Sequence, residues 1–251
     1  MKRTITACIA FFFPSVISVQ LLRLLGYKIG KNVRIGFSIL KVSSLTIQDN
    51  VRIGHFNIFL NQNISLAQNA KIGYLNFFKG PVQLILDQKA AIGNRNYITR
   101  ARIGVTYGES ILKLGILTKI TTGHHLDLTC SISFGNYSIL AGIRSQMWTH
   151  GYYHSDQGKE RIRIDGEIKI GNNVYVGSGC IFNPGVKVAD AAHIGGGSVI
   201  SKNLEKPGMY VSQGLRFIEN DIKKVKSKLQ NINDEYNLVE AVYVKKINED
   251  I

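Results

Sequence analysis

The residues best suited to chemistry cluster in one short stretch. Residues 146–167 read QMWTHGYYHSDQGKERIRIDGE, which brings two histidines, four carboxylates and three large aromatics into 22 positions. His150 is the leading candidate. A neutral imidazole is the side chain best matched to taking a proton from an alcohol near neutral pH. A base of this kind needs a partner to hold its ring, and His154, Asp156 and Glu160 all lie within reach along the chain. Spacing alone does not choose among them.

Other chemistries are less well supplied. Cys8, Cys130 and Cys180 are an odd number without a C-x-x-C pair, which argues against a disulfide framework, against a thiolate zinc site and for a reducing compartment. Only three residues separate His150 from His154, which does not give the H-x-x-x-x-H spacing of a three-histidine zinc enzyme, so no metal is expected. The net charge of +14 calls for anionic partners. Nucleic acid is not expected among them, because no helix-turn-helix, zinc-knuckle or RNP-like pattern accompanies the charge. A phosphate-rich small molecule or an anionic bilayer fits better.

The scaffold that must position these residues announces itself as a repeat. Ile170, Val176, Phe182, Val188, Ile194 and Ile200 follow one another at intervals of six, and four residues after the first five leads stand Val174, Cys180, Val186, Ala192 and Ser198. A helix would carry such leads to a new face at every step, and simple strand alternation would not require the small residue. Weaker runs extend the pattern: Ile29, Ile35, Ile47 and Ile53, with Lys41 interrupting, then Leu66, Ile72 and Phe78, then Leu86, Ile92 and Ile98, then Phe134 and Leu140. The pattern predicts an all-β solenoid, a triangular prism of short parallel strands with the leads stacked inside. Corners need residues that tolerate positive φ, and Asn32, Asn69, Asn173, Gly54, Gly73, Gly93 and Gly185 are candidates for them. The period fails between Gln146 and Ile170, so the histidine-bearing stretch is an excursion from the prism. His124, His125 and Asp127 fall one coil earlier, where with Trp148, Tyr152 and Tyr153 they would line a pocket for a polyhydroxyl acceptor such as a sugar.

The order Thr149-His150, an excursion, Ile170-Gly171-Asn172-Asn173-Val174-Tyr175-Val176-Gly177-Ser178 and then Asn183-Pro184-Gly185-Val186 resembles the galactoside and maltose O-acetyltransferases of the hexapeptide-repeat acyltransferase superfamily. The resemblance implies a left-handed parallel β-helix, with His150 as the catalytic base. It implies direct transfer of an acyl group, expected to be acetyl, from acetyl-CoA as donor substrate to a sugar hydroxyl, in the making of a surface polysaccharide such as O-antigen or capsule. It places the coenzyme A contacts on Ser178, Gly196, Ser201, Lys202 and Arg216, and it implies a homotrimer. This chain departs from the family in having Gly151 after the histidine, Tyr175 in place of tryptophan, and Val211-Ser212-Gln213-Gly214-Leu215-Arg216 without the usual proline. An amino-sugar N-acyltransferase and a non-catalytic β-solenoid scaffold are the alternative readings.

Three segments are expected: an apolar helical segment over 1–28, the β-helix over 29–216, and a helical cap with a tail over 217–251. No charge occurs from Thr4 to Leu22, Pro14 breaks the run, and Lys2, Arg3 and Arg23 flank it. That suits a cap on the first coil or an anchor lying in a membrane interface better than a spanning helix. Phe217 to Asn231 reads as a helix and Leu238 to Ile247 as a strand. The expected location is cytoplasmic, with peripheral contact to the inner membrane face.

Overall fold

The computed structural model describes residues 1–156, 159–212, 221–233 and 241–245. Short strands recur along the chain and stack into three long parallel sheets of eight, nine and eight strands among the described residues. Each sheet takes every third strand of the prism, so one coil lays one strand on each wall. In the first sheet Lys28 pairs with Thr46, in the second Arg34 with Arg52, and in the third Ile39 with Ile58, an advance of 18 or 19 residues per coil.

The lead residues fill the prism. Ile35, Ile47, Ile53, Leu66, Ile72, Phe78, Leu86, Ile92, Ile98, Phe134 and Leu140 are buried, as are the six leads from Ile170 to Ile200. Lys41 points outward between the buried Leu40 and Val42. Phe59 and Phe78 stack inside at 4.7 Å, one above the other. Because each strand wall is only two to five residues long, one apolar residue per six is enough to close the lumen.

The corners follow the sequence expectation in part, since Asn32, Asn69, Asn173 and Gly185 adopt positive φ. A left-handed residue stands two positions before seven of the second-sheet strands, in a column running Asn32, Asn50, Asn69, Lys89, Leu117, Tyr137 and Asn173, and Ala191 stands one position before the next. A second column precedes the third sheet and includes Phe56, Leu75, Arg95 and Arg144. The N–H of each of these four donates to the coil behind it, as from Phe56 to the Phe37 carbonyl and from Leu75 to that of His55. These bonds offset a conformational cost of about 1–2 kcal/mol per residue, which is why bulky side chains are tolerated there. Gly54, Gly73 and Gly93 do not adopt positive φ. A Cβ on Gly73 would come within 2.6 Å of the Gly93 carbonyl oxygen, so these glycines allow successive coils to touch.

Helices α1 (Lys2–Phe12) and α2 (Ser15–Leu24) lie at the N-terminal end, broken at Pro14. Ile9, Ala10, Val19 and Leu22 pack into the core, and the Ser15 hydroxyl accepts the Ile35 N–H. The far end differs from expectation. Among the described residues helix α3 covers Ile222–Ser227, capped by the Asp221 carboxylate, and Leu229–Asn231 is a strand, while residues 217–220 of the expected helix lie outside the described residues. Four lysines between 223 and 228 repel along a helix, and the strand finds a partner in Val242–Lys245. Those two strands join a separate four-stranded sheet with His150–His154 and Arg161–Asp165, with its own buried Ile162, Ile232 and Val242. Leu204 and Tyr210 pack against the last coil.

Candidate active site

The excursion is a β-hairpin. His150–His154 runs antiparallel to Arg161–Asp165, with His150 opposite Asp165. It springs from the third sheet directly after Gln146–Met147 and rests on Pro184, against which a Cβ at Gly151 would pack at 3.6 Å. The tail strand Val242–Lys245 adds to its outer edge, and the Lys245 ammonium donates to the Gly185 carbonyl.

His150 stands where hairpin and prism meet. Its Nδ1 lies 2.8 Å from Asp127 Oδ2 and 3.2 Å from the Thr129 hydroxyl. A carboxylate can only accept, so Nδ1 carries the proton and Nε2 is left with its lone pair. Nε2 has no partner among the described residues, and the side chain keeps 30% of its exposure. The hydrogen bond that His150 donates to Asp127 raises the His150 pKa above the ordinary imidazole value, against a smaller opposing effect of burial.

Asp127 is the residue that orients the ring, a role the spacing in the sequence leaves to His154, Asp156 or Glu160. Burial alone would raise its pKa, but hydrogen bonds from His150, Thr149 and Thr129 together outweigh that and hold it below the usual carboxylate value. The Thr149 N–H and hydroxyl both donate to Oδ2, at 3.1 and 2.9 Å, and the Thr129 hydroxyl donates to Oδ1 at 3.1 Å. Glu160 instead pairs with Lys226, and Asp156 accepts from Ser155. The clue lay in the coil register. Leu126 stacks on Met147, so the residues just after them, Asp127 and Trp148, are neighbours across one strand spacing.

A buried polar layer backs the pair. Arg163 grips Asp165 through two bonds of 3.0 and 3.1 Å, and both are almost wholly buried. Burial raises the Asp165 pKa and Arg163 opposes that rise. Arg163 also donates to the Val105 carbonyl, which ties in the segment that Arg100 folds by bonding the Tyr107 and Gly108 carbonyls. The Tyr107 hydroxyl reaches Cys130 Sγ at 3.7 Å, and burial pushes that thiol up to about 12, so it is inert as a nucleophile. None of Arg100, Tyr107, Arg163 or Asp165 is conspicuous in the sequence, because buried charge looks like surface charge until its partners are known.

The other expected residues divide. Trp148 and Tyr152 flank the His150 ring, with centroids 6.3 and 6.1 Å away and planes nearly perpendicular to it. His125 packs on Trp148 at 4.8 Å and extends the aromatic row toward Tyr97. His124 does not face this surface. It is 1% exposed, its Nδ1 accepts the Ser145 N–H, and its Nε2 meets the Thr121 hydroxyl, so it belongs to the wall. Ser201 and Lys202 are exposed on the same corner as His150, two coils on, since Met147 aligns with Phe182 and Phe182 with Ile200. Ser178 and Gly196 stack at the neighbouring corner, before the third-sheet strands. Arg216 lies outside the described residues. Among the described residues, no three of His, Cys, Asp and Glu gather closely enough to hold a metal ion.

Comparison with known proteins bears on this arrangement. Residues 167–202 match the bacterial transferase hexapeptide family (six repeats). The chain is 34% identical over 83 residues to galactoside O-acetyltransferase of Escherichia coli K12, covering 31% of this chain and 37% of that protein. It is 45% identical over 51 residues to the bifunctional protein GlmU of Bdellovibrio bacteriovorus, covering 20% of this chain and 11% of that one. Both matches thus span well under half of the relative's length. Among solved structures, the polysialic acid O-acetyltransferase OatWY is similar at 16% identity and a TM-score of 0.45, covering 84% of this chain and 98% of that one. The N-acyltransferase AntD of Bacillus cereus, a variant in complex with a dTDP-amino sugar and coenzyme A, is similar at 16% identity and a TM-score of 0.42, covering 83% and 93%. The six-residue period, the three parallel walls and the match over residues 167–202 show hexapeptide repeats folded as a left-handed parallel β-helix, in a chain similar over 83 residues to a galactoside O-acetyltransferase.

Proposed function

We propose that this chain is an O-acyltransferase that moves an acetyl group from acetyl-CoA to a sugar hydroxyl of a surface polysaccharide. The observation that carries the reading is the His150–Asp127 pair, a half-exposed base with its outward nitrogen free and its inward nitrogen held by a buried carboxylate. Trp148 and Tyr152 on either side offer the flat apolar surfaces that sugars stack upon, and the match to galactoside O-acetyltransferase supports a hydroxyl acceptor.

The chemistry follows from the geometry. Nε2 accepts the proton of the acceptor hydroxyl as its oxygen attacks the thioester carbonyl carbon and the new C–O bond forms. The imidazolium so formed keeps Nδ1–H on Asp127, whose negative charge stabilises it. Collapse of the tetrahedral intermediate breaks the C–S bond, and the departing thiolate takes the proton back from Nε2. Free coenzyme A and the acetyl ester leave, and the base is regenerated. Ser201 and Lys202, displaced along the same corner by two strand spacings of about 4.8 Å each, are suited to hold the phosphate-bearing donor.

Release of free thiol from acetyl-CoA, measured against a panel of sugars and amino sugars, tests the reading. Turnover that depends on a hydroxyl acceptor is expected, and His150→Ala is expected to lower it by roughly 10²–10⁴-fold without altering circular dichroism. Full activity in a folded His150→Ala protein would remove the base from the mechanism. Turnover only with amino sugars would reassign the acceptor to nitrogen.

A further inference from the structure

The N-terminal helices bury one face and leave the other apolar and open. Phe12 is 70% exposed and Val16 80%, and Phe11, Phe13, Ile17 and Leu24 are exposed beside them. The packing role is already filled by Ile9, Ala10, Val19 and Leu22, so the outer residues contribute nothing to the prism. A contiguous apolar surface of this kind marks a contact site.

What adjoins it is cationic. Pro14 and Ser15, at the joint of the two helices, form one end of a groove along the second sheet whose floor carries Arg34, Arg52 and Lys71. These three stand in register on successive coils, Arg34 on Arg52 and Arg52 on Lys71. None has a carboxylate partner among the described residues, and like charges facing one another across strands destabilise a sheet. The first 48 residues contain seven Lys and Arg and no Asp or Glu. By contrast, the cations that border the helices in sequence serve the fold: Lys2 sits over the Tyr27 ring, while Arg3 and Arg23 donate to backbone carbonyls.

We infer that this end of the protein docks on an anionic lipid bilayer, with the Phe12–Val16 joint entering the interface and the Arg34–Arg52–Lys71 column lying against acidic headgroups. A second copy of the chain is a poor occupant, because two such faces would bring like charges together. No helix among the described residues is long and apolar enough to cross a membrane, and the geometry is that of a helix pair lying on one. The inference stands apart from the acyltransferase reading, since His150 lies five coils along the third sheet, about 24 Å from the first coil.

Co-sedimentation of the full chain with vesicles of phosphatidylcholine, with or without phosphatidylglycerol, tests it at low and high salt. Binding to the anionic vesicles alone, weakened by salt, is expected. Arg34→Gln with Arg52→Gln should weaken it by about fivefold per cation removed. Phe12→Ser with Val16→Ser should weaken it by tenfold or more on the loss of two inserted side chains. Both pairs of positions are exposed, so the thermal midpoint should not fall. Failure to bind anionic vesicles, equal binding to both kinds, or undiminished binding by the Phe12→Ser, Val16→Ser protein would overturn the inference. So would a wild-type assembly that this variant dissociates in the absence of lipid, which would make a second copy the occupant.

Discussion

One carboxylate sets both the orientation and the basicity of the proposed base. Asp127 keeps the proton on Nδ1 and raises the His150 pKa, and only the neutral imidazole can accept a proton at Nε2. Activity should therefore rise with pH through a value above the ordinary 6.5 of histidine. Asp127→Asn removes the charge that favours imidazolium, so the acid limb of the pH–rate profile should move to lower pH while the plateau falls by roughly 10²–10⁴-fold. A plateau that falls with an unmoved limb would mean that Asp127 acts only by holding Thr149. His150 itself was legible from residue type and from its place in a break of the period. Its partner was not, because the two lie 23 positions apart and the contact exists only once the coils are stacked in register.

Corners decide what a solenoid element tolerates. Inside one corner of the prism Asn57, Asn76 and Asn96 form a ladder, each Oδ1 accepting the backbone N–H of the next coil, and His124 is the following rung. Its Nδ1 must stay unprotonated to accept from Ser145, and burial lowers its pKa to about 4. The unfolded chain takes up that proton near pH 6.5 and the folded chain near pH 4, so stability should fall as pH drops from 6.5 to 4. The contribution is roughly 3 kcal/mol at most. His124→Asn continues the ladder with a residue that does not titrate, and denaturant midpoints at pH 7.5 and pH 4.5 should then lie closer together than in the wild type. An unchanged gap would place the acid sensitivity elsewhere. Periodicity revealed the buried leads but not this rung, since the ladder residues are polar and lie off the apolar register. It also misassigned Gly54, Gly73 and Gly93, whose task is close approach of coils, while Gly185 does take the left-handed conformation.

At the scale of the molecule, the prism carries its sites on different walls. The open apolar helices and the cationic column lie toward one end, and the His150 hairpin lies toward the other. If the flat walls assemble as the resemblance to the galactoside enzymes implies, light scattering should give about three times the 27.9 kDa chain mass. A monomer with full activity would show that one chain suffices for acyl transfer. The three walls were legible from the six-residue period. The hairpin with its tail strand was not, because Val242–Lys245 joins Arg161–Asp165 across nearly eighty residues with no shared pattern. The stacking has a mechanical corollary. Asp127 and His150 sit on successive coils, so the bond between them spans one repeat of the stack, and its length measures how far that repeat is stretched. Tension along the prism axis would load this bond together with the strand hydrogen bonds beside it, and turnover would fall as the pair was drawn apart, with the dyad acting as a strain gauge built into the wall.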